Sequence, residues 1–300
     1  MDKKKLRGSL LLILTALIWG VSFVSQSVGN DLVGPFTFNT VRTLLGALAL
    51  VPVILVMEKK RGPGPERTPE QRKAGNKVLW LGGLCCGAAL FAASTFQQVG
   101  ISFTTAGKAG FITALYIVLV PILGIFLGKR APRIVWLCVA IAVAGLFLLC
   151  VKEDLTIGKG DLLVLVCALL FAIHILIIDH FSPLVDGVKM SCIQFLVAGL
   201  LGLPLMFLLE TPTLGGILAA WLPIGYSGIL SCGVAYTLQI VAQKDTDPAV
   251  ASLLLSLESV FAVLAGWVLL HERLAARELL GCALVFGAVI LAQLPQKSKE

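Results

Sequence analysis

Charge is scarce in this chain. Asp, Glu, Lys and Arg make up 14% of its 300 residues, against about 25% in an ordinary soluble domain. Only three histidines are present, and the spacing of His174, His180 and His271 matches no metal-ligand pattern. The eight cysteines include no C-x-x-C pair, and all lie in apolar segments. They read as small buried hydrophobes, with neither a metal site nor a disulfide framework. No G-x-x-x-x-G-K-[ST] loop occurs. No polar stretch is long enough for a separate soluble domain, and the longest, Glu58–Lys77 with its Gly-Pro-Gly-Pro run, reads as a flexible loop. A nucleotide-driven pump, a metalloenzyme and a sensor with a soluble output domain all lose support. A membrane-embedded enzyme would need clustered His, Asp and Glu at an interface, which is missing.

What the chain has instead is apolar length. It is 58% hydrophobic, with a mean hydropathy of +0.95. Runs of about 20 apolar residues fall near 8–29, 36–57, 78–98, 106–127, 134–151, 161–180, 191–209, 219–241, 249–270 and 277–294. Each predicts a helix, because a backbone facing lipid must satisfy its own hydrogen bonds. Met1–Arg7 ahead of the first run resembles a secretory leader, but no clean small-residue cleavage site follows. That first run also has a counterpart later in the chain, so it is expected to stay.

The counterpart belongs to an internal repeat. Residues 96–145 lie on 238–287 without a gap, matching Gln97 with Gln239, Thr104 with Thr246, Gly124 with Gly266 and Gly145 with Gly287. Residues 8–19 lie on 160–171, pairing Gly8-Ser9-Leu10-Leu11 with Gly160-Asp161-Leu162-Leu163, and Pro52 pairs with Pro204 in the same register. We read two five-helix units, 1–152 and 153–300. An odd number of helices per unit inverts the second relative to the first, the architecture of carriers that work by alternating access. The fold class expected is an all-α polytopic membrane protein of ten helices.

Lys and Arg set an orientation. With the N-terminus inside, the inner segments hold the Lys3–Arg7 cluster, all seven basic residues from Lys59 to Lys77, Lys129, Arg130, Arg133, Lys189, Lys244, Lys297 and Lys299. The outer loops hold Lys152, Lys159, Arg273 and Arg277. Both termini are therefore expected in the cytoplasm, with the protein in the cytoplasmic membrane. The net charge of +7 is a topology signal, and its scatter over short loops gives no nucleic-acid surface.

Here the residues resemble a known family. Ala16-Leu17-Ile18-Trp19-Gly20-Val21-Ser22-Phe23 resembles the A-x-x-W-G-x-[SN]-F signature of EamA-type members of the drug/metabolite transporter superfamily. Ser256-Leu257-Glu258-Ser259-Val260-Phe261, followed by Gly266-Trp267 and His271-Glu272-Arg273-Leu274, is similar to that family's L-E-P-V-F…G-W…G-E-R-L ending. Ser259 stands where the family has Pro, and His271 where it has Gly. The matching stretch of the first half, Leu115–Gly128, ends differently, in Lys129-Arg130. Arg42 resembles an Arg often found in the family's second helix. The resemblance implies a ten-helix secondary transporter, often an exporter of amino acids or other small metabolites, with a central cavity between the halves. A sugar, nucleotide-derivative or drug carrier is the alternative within transporters.

Polar groups within the apolar runs are the candidate site, since ionisable side chains there are costly. The expected substrate-binding set is Trp19, Ser22, Arg42, Gln97, Tyr116, His174, Gln194, Tyr236, Gln239 and Glu258. Glu258, paired in the repeat with Tyr116, reads as a proton site or counter-charge, or as a hydrogen-bonded strut. Arg42, paired with Gln194, could fork onto a carboxylate, or snorkel to the interface or cap a neighbouring helix. His174, paired with Ser22, is a proton relay or a bonded core histidine. Lys108 is expected to anchor at the outer interface, and Asp179 and His180 to be solvated. Gly83-x-x-x-Gly87 and Gly124-x-x-x-Gly128 read as close helix contacts, and Pro52, Pro121 and Pro204 as kink points. The fifth and tenth helices are assigned to peripheral packing or a dimer contact, with monomer and homodimer both open. Partners expected are a small-molecule metabolite, the lipid bilayer and protons as the candidate coupling ion. No cofactor, metal or catalytic residue is expected.

Overall fold

The computed structural model describes residues 3–61, 68–104, 106–129, 131–150, 157–269 and 275–293. The 152/153 unit boundary and the His271–Leu274 part of the family ending lie outside them. Through the described residues the chain is helical. Helices α1 (Lys3–Leu32), α2 (Pro35–Arg61) and α3 (Pro69–Ile101) are followed by a split helix, α4 (Ala106–Ala114) and α5 (Tyr116–Phe126), and by α6 (Arg133–Cys150). Then come α7 (Lys159–Phe181), α8 (Gly187–Leu209) and the short α9 (Leu214–Ala219) and α10 (Trp221–Gly225). A π-helical stretch Tyr226–Tyr236 runs into α11 (Thr237–Gln243), and α12 (Pro248–Leu255), α13 (Leu257–Leu269) and α14 (Ala276–Gln293) complete the bundle. Among the described residues nine segments are long and apolar enough to cross a membrane, and Arg133–Leu149 is a shorter apolar helix.

The surface is apolar and the interior carries polar groups, the reverse of a soluble protein. Phe126, Leu208 and Trp221 are exposed, whereas Arg42, Gln98, His174, Gln194, Gln239 and Glu258 are buried. Lipid tails are as apolar as leucine, so burying leucine on leucine drives little association; close packing does more. Glycines supply it. A Cβ on Gly20 would lie 2.7 Å from Ala262 N and 2.8 Å from Glu258 O, which brings α1 onto α13. A Cβ on Gly87 would lie 2.8 Å from Gln194 O on α8, and one on Gly145 2.9 Å from Gly281 O on α14.

Packing mirrors the repeat. α1 rests on α13, as its counterpart α7 rests on α4 and α5; the counterparts α2 and α8 pack on each other, as do α6 and α14. The Gly8–Ala242 approach, 3.4 Å, has its counterpart in Gly160–Gly100, 2.9 Å. α6 and α14 stand together at the side of the bundle, away from the polar interior.

Several expectations are corrected. The 58–77 segment is mostly helix: α2 continues to Arg61 and α3 starts at Pro69. Thr68 Oγ1 accepts from Gln71 N, Gln71 Oε1 accepts from Thr68 N, and Pro69 takes the first turn. This capping box outweighs the polarity of the Arg72–Lys77 turns. Gly62–Arg67 lie outside the described residues. The Gly124–Gly128 spacing makes no helix contact. Gly128 has φ +75°, with nothing within 4 Å of a Cβ there. Its role is to end α5, where Lys129 N donates to Gly124 O at 2.9 Å. The helices run on through Pro52, Pro121 and Pro204. The interruptions come instead at Leu115 and Ser256, where Leu115 N turns back to Ile112 O and Ser259 N to Ser256 O, tightened turns that need no proline. Asp179 is mostly buried and pairs with Lys129, whereas His180 is exposed. The Lys108 side chain lies outside the described residues.

Candidate functional site

The two helix interruptions face each other at the centre of the bundle. Tyr116 opens α5 just after Leu115, and Glu258 lies in the first turn of α13 just after Ser256. Tyr116 Oη donates to Glu258 Oε1 at 3.0 Å, with both side chains buried. A carboxyl at a helix N-terminus meets backbone N–H groups left without intrahelical partners, so the split helix itself favours an acid there.

Around this pair lies a narrow cavity of about 40 Å³, room for a few water molecules and well below the usual range of small-molecule sites, so cargo enters only as the walls part. Trp19, Ser22, Phe23 and Gln26 come from α1, Arg42 from α2 and Gln97 from α3. Thr113 and Tyr116 come from the split α4–α5, Phe171, His174 and Ile175 from α7, and Ser231, Tyr236 and Gln239 from the π-helical stretch and α11. Leu255 and Glu258 close it from α12 and α13. Nine of the ten expected residues stand on this wall. Gln194 does not; it lies behind the wall, its Oε1 3.1 Å from His174 Nε2.

Arg42 is 5% exposed, so the snorkelling alternative fails. Its Nε and Nη2 donate to Asn39 Oδ1 at 3.1 and 3.0 Å, and Asn39 Nδ2 donates onward to Ser94 Oγ at 3.0 Å. The guanidinium lies 5.5 Å from the Phe38 ring centroid. Among the described residues no carboxylate stands within ion-pair distance of it. Asn39 therefore aims the fork while leaving the charge uncompensated, an arrangement costly in an apolar interior.

Aromatic rings form the floor. Trp19 and Tyr236 have centroids 4.5 Å apart at 56°, and His174 and Phe195 meet Tyr236 edge-on at 6.0 and 5.6 Å. The π-helical stretch turns carbonyls toward α1: Trp19 Nε1 donates to Ser231 O at 3.4 Å and Thr15 Oγ1 to Ala235 O at 3.1 Å. Widened turns of this kind release carbonyls from the regular ladder. Several buried polar atoms on the wall lack a partner in the protein: Ser22 Oγ, Gln26 Oε1, His174 Nδ1 and Gln239 Oε1. An amide can present either its O or its N, so each marks an available hydrogen-bonding position.

Sequence reasoning missed Phe23, Gln26, Thr113, Phe171, Ile175, Ser231 and Leu255. The repeat register held a signal for most of them. Phe171 is the counterpart of Trp19, Ile175 of Phe23 and Leu255 of Thr113. With Ser22–His174, Gln97–Gln239 and Tyr116–Glu258, much of the wall consists of counterpart pairs. Ser231 had no such signal, because it depends on the π-helical turn. Among the described residues no group of His, Cys, Asp and Glu could hold a metal ion.

Comparison with known proteins agrees with this architecture. Residues 6–151 and 158–294 each match the EamA-like transporter family. An uncharacterized transporter of Archaeoglobus fulgidus is 33% identical over 97% of this chain and 87% of its own length. The uncharacterized transporter YoaV of Bacillus subtilis is 24% identical over 93% of this chain and 94% of its own. A crystal structure described only as that of a protein superposes with a TM-score of 0.77, at 19% identity, over 96% of both chains, which shows the shared fold. The chain belongs to the EamA-like transporter family.

Proposed function

We propose that this membrane transporter carries a small organic metabolite bearing a carboxylate, such as an amino acid, out of the cell across the cytoplasmic membrane. The observation that carries this reading is Arg42: a buried, aimed guanidinium whose protein partner is a neutral amide. A cargo carboxylate completes the fork bidentately. The unpartnered amide oxygens of Gln26 and Gln239 accept from an ammonium or hydroxyl group of the cargo. The Trp19–Tyr236 surface takes the apolar part.

The two halves, residues 1–152 and 153–300, act as inverted repeats that exchange conformations about this fixed site, giving alternating access. Both termini face the cytoplasm, in keeping with the basic loops. An ion gradient drives the cycle, protons being the first candidate. The protein makes and breaks no covalent bond.

Proteoliposomes loaded with a panel of radiolabelled amino acids, other carboxylates, sugars and nucleosides test the reading. Carboxylate-bearing cargo should leave protein-containing vesicles faster than empty ones, and uncharged sugars should not. Flux of sugars or nucleosides alone would replace the carboxylate carrier with the other reading.

A further inference from the structure

On the outer side of the cavity, with the basic loops facing the cytoplasm, polar groups continue past the site. Gln26 lines the cavity on α1. One turn further out on α1 is Asn30. Facing both is Gln98 of α3, whose Nε2 donates to Asn30 Oδ1 at 2.6 Å and reaches Gln26 O at 3.4 Å. Asn30 Nδ2 in turn donates to Gln98 O and to Ser102 Oγ, each at 3.3 Å, and Ser102 is exposed. Gln26, Gln98, Asn30 and Ser102 thus make an unbroken polar line from the cavity wall to the surface. Gln26 and Gln98 are 5% and 0% exposed, yet the Oε1 of each has no partner in the protein. A buried amide left half-satisfied costs free energy, so these atoms are suited to a hydrogen-bonding visitor.

The repeat gives an internal control. In the same registers Gln26 corresponds to Ile178 and Gln98 to Ile240. Those two pack with Cys86 and Met190 into a fully buried apolar cluster. The inverted repeat places that cluster on the inner side of the cavity. At these two positions the outer side is polar and under-bonded and the inner side apolar and close-packed, whereas Ser182 and Lys244, the counterparts of Asn30 and Ser102, stay polar. Wetting a polar seam needs only exchange of hydrogen bonds, whereas wetting the isoleucine cluster exposes apolar surface to water.

We infer that the α1–α3 seam through Gln26, Gln98 and Asn30 is the route between the central cavity and the outer face, selecting water-soluble, hydrogen-bonding cargo, and that the Ile178–Ile240 cluster is the dry seal toward the cytoplasm at rest. The inference rests on the transporter reading and its orientation for the words outer and inner. The polar and apolar asymmetry stands apart from any cargo.

Single substitutions Gln26→Cys, Gln98→Cys, Ile178→Cys and Ile240→Cys test it in oriented membrane vesicles without added cargo. The probe is a membrane-impermeant cationic methanethiosulfonate, and the unsubstituted protein sets the background from its own cysteines. Monodisperse elution in detergent certifies folding, and Asn30→Cys serves where either glutamine variant fails that check. Applied from the outer side, the reagent should label Gln26→Cys and Gln98→Cys to completion while both isoleucine variants stay at background. Folded glutamine-position variants that stay at background from the outer side overturn the inference. So does labelling of Ile240→Cys from the inner side as fast as Gln98→Cys from the outer. Failure of the transport reading would appear separately, as absent carboxylate flux with this labelling pattern unchanged.

Discussion

Tyr116 and Glu258 occupy equivalent positions in the two repeats and hydrogen-bond directly to each other at 3.0 Å. A residue that touches its own repeat counterpart must flank the axis relating the halves. The bond therefore ties the halves together at that axis, which favours the strut reading of Glu258. Glu258→Gln keeps an oxygen that can accept from Tyr116, and it should retain transport within about fivefold of the parent, the difference between a charge-assisted and a neutral hydrogen bond. The pH profile of flux should not change. Glu258→Leu leaves the buried Tyr116 hydroxyl without its acceptor and should express poorly. A pH titration of flux, normalised to protein in the membrane, distinguishes the outcomes. A lost pH dependence in the Gln variant would instead make Glu258 the proton-coupling group.

Gly20 is the contact point between α1 and α13, with Ala262 N 2.7 Å and Glu258 O 2.8 Å from where a Cβ would stand. Gly20→Val should destabilise the bundle by about 1–3 kcal/mol through overpacking, seen as a lower melting temperature in detergent. Gly215 has open space around it, and Gly215→Ala should leave the melting temperature unchanged. Equal effects at the two sites would mean that α1 does not pack on α13 through this glycine.

Orientation is testable without cargo. Cysteines placed at Glu66 and near the C-terminus should react with an impermeant reagent only after the cytoplasmic side is opened. One placed at Thr211 should react from the outside. Termini on opposite sides would remove the even helix count and the inverted repeat together.

The helical architecture was legible because lipid enforces it: apolar runs of sufficient length have no other way to satisfy their backbones. The cavity was legible in large part because ionisable and amide groups are rare in such runs. Arg42, His174, Gln239 and Glu258 stood out against leucine and alanine. What escaped notice obeyed subtler signals. The Thr68–Gln71 capping box was present in the sequence but hidden by the charged residues around it. The interruptions at Leu115 and Ser256, and the π-helical turn that presents Ser231, carry no proline or other local mark at the break. They arise where two helices meet across the axis, from tertiary packing. Gln98 was passed over because its neighbour Gln97 kept its amide in the repeat and Gln98 did not. That difference is what separates the polar seam from the apolar seal.

Arg42 offers the most direct test of the account, by thermal unfolding of the purified protein with a panel of metabolites. A cargo that binds only the folded state raises its stability by mass action. A carboxylate-bearing metabolite should raise the melting temperature of the parent protein. Arg42→Gln should need about 10- to 100-fold more of the same metabolite for an equal shift, corresponding to the roughly 1.5–3 kcal/mol of a charge-assisted hydrogen bond. Equal shifts in the two proteins, or stabilisation of the parent only by metabolites without a carboxylate, would contradict the assignment of this cavity to carboxylate cargo.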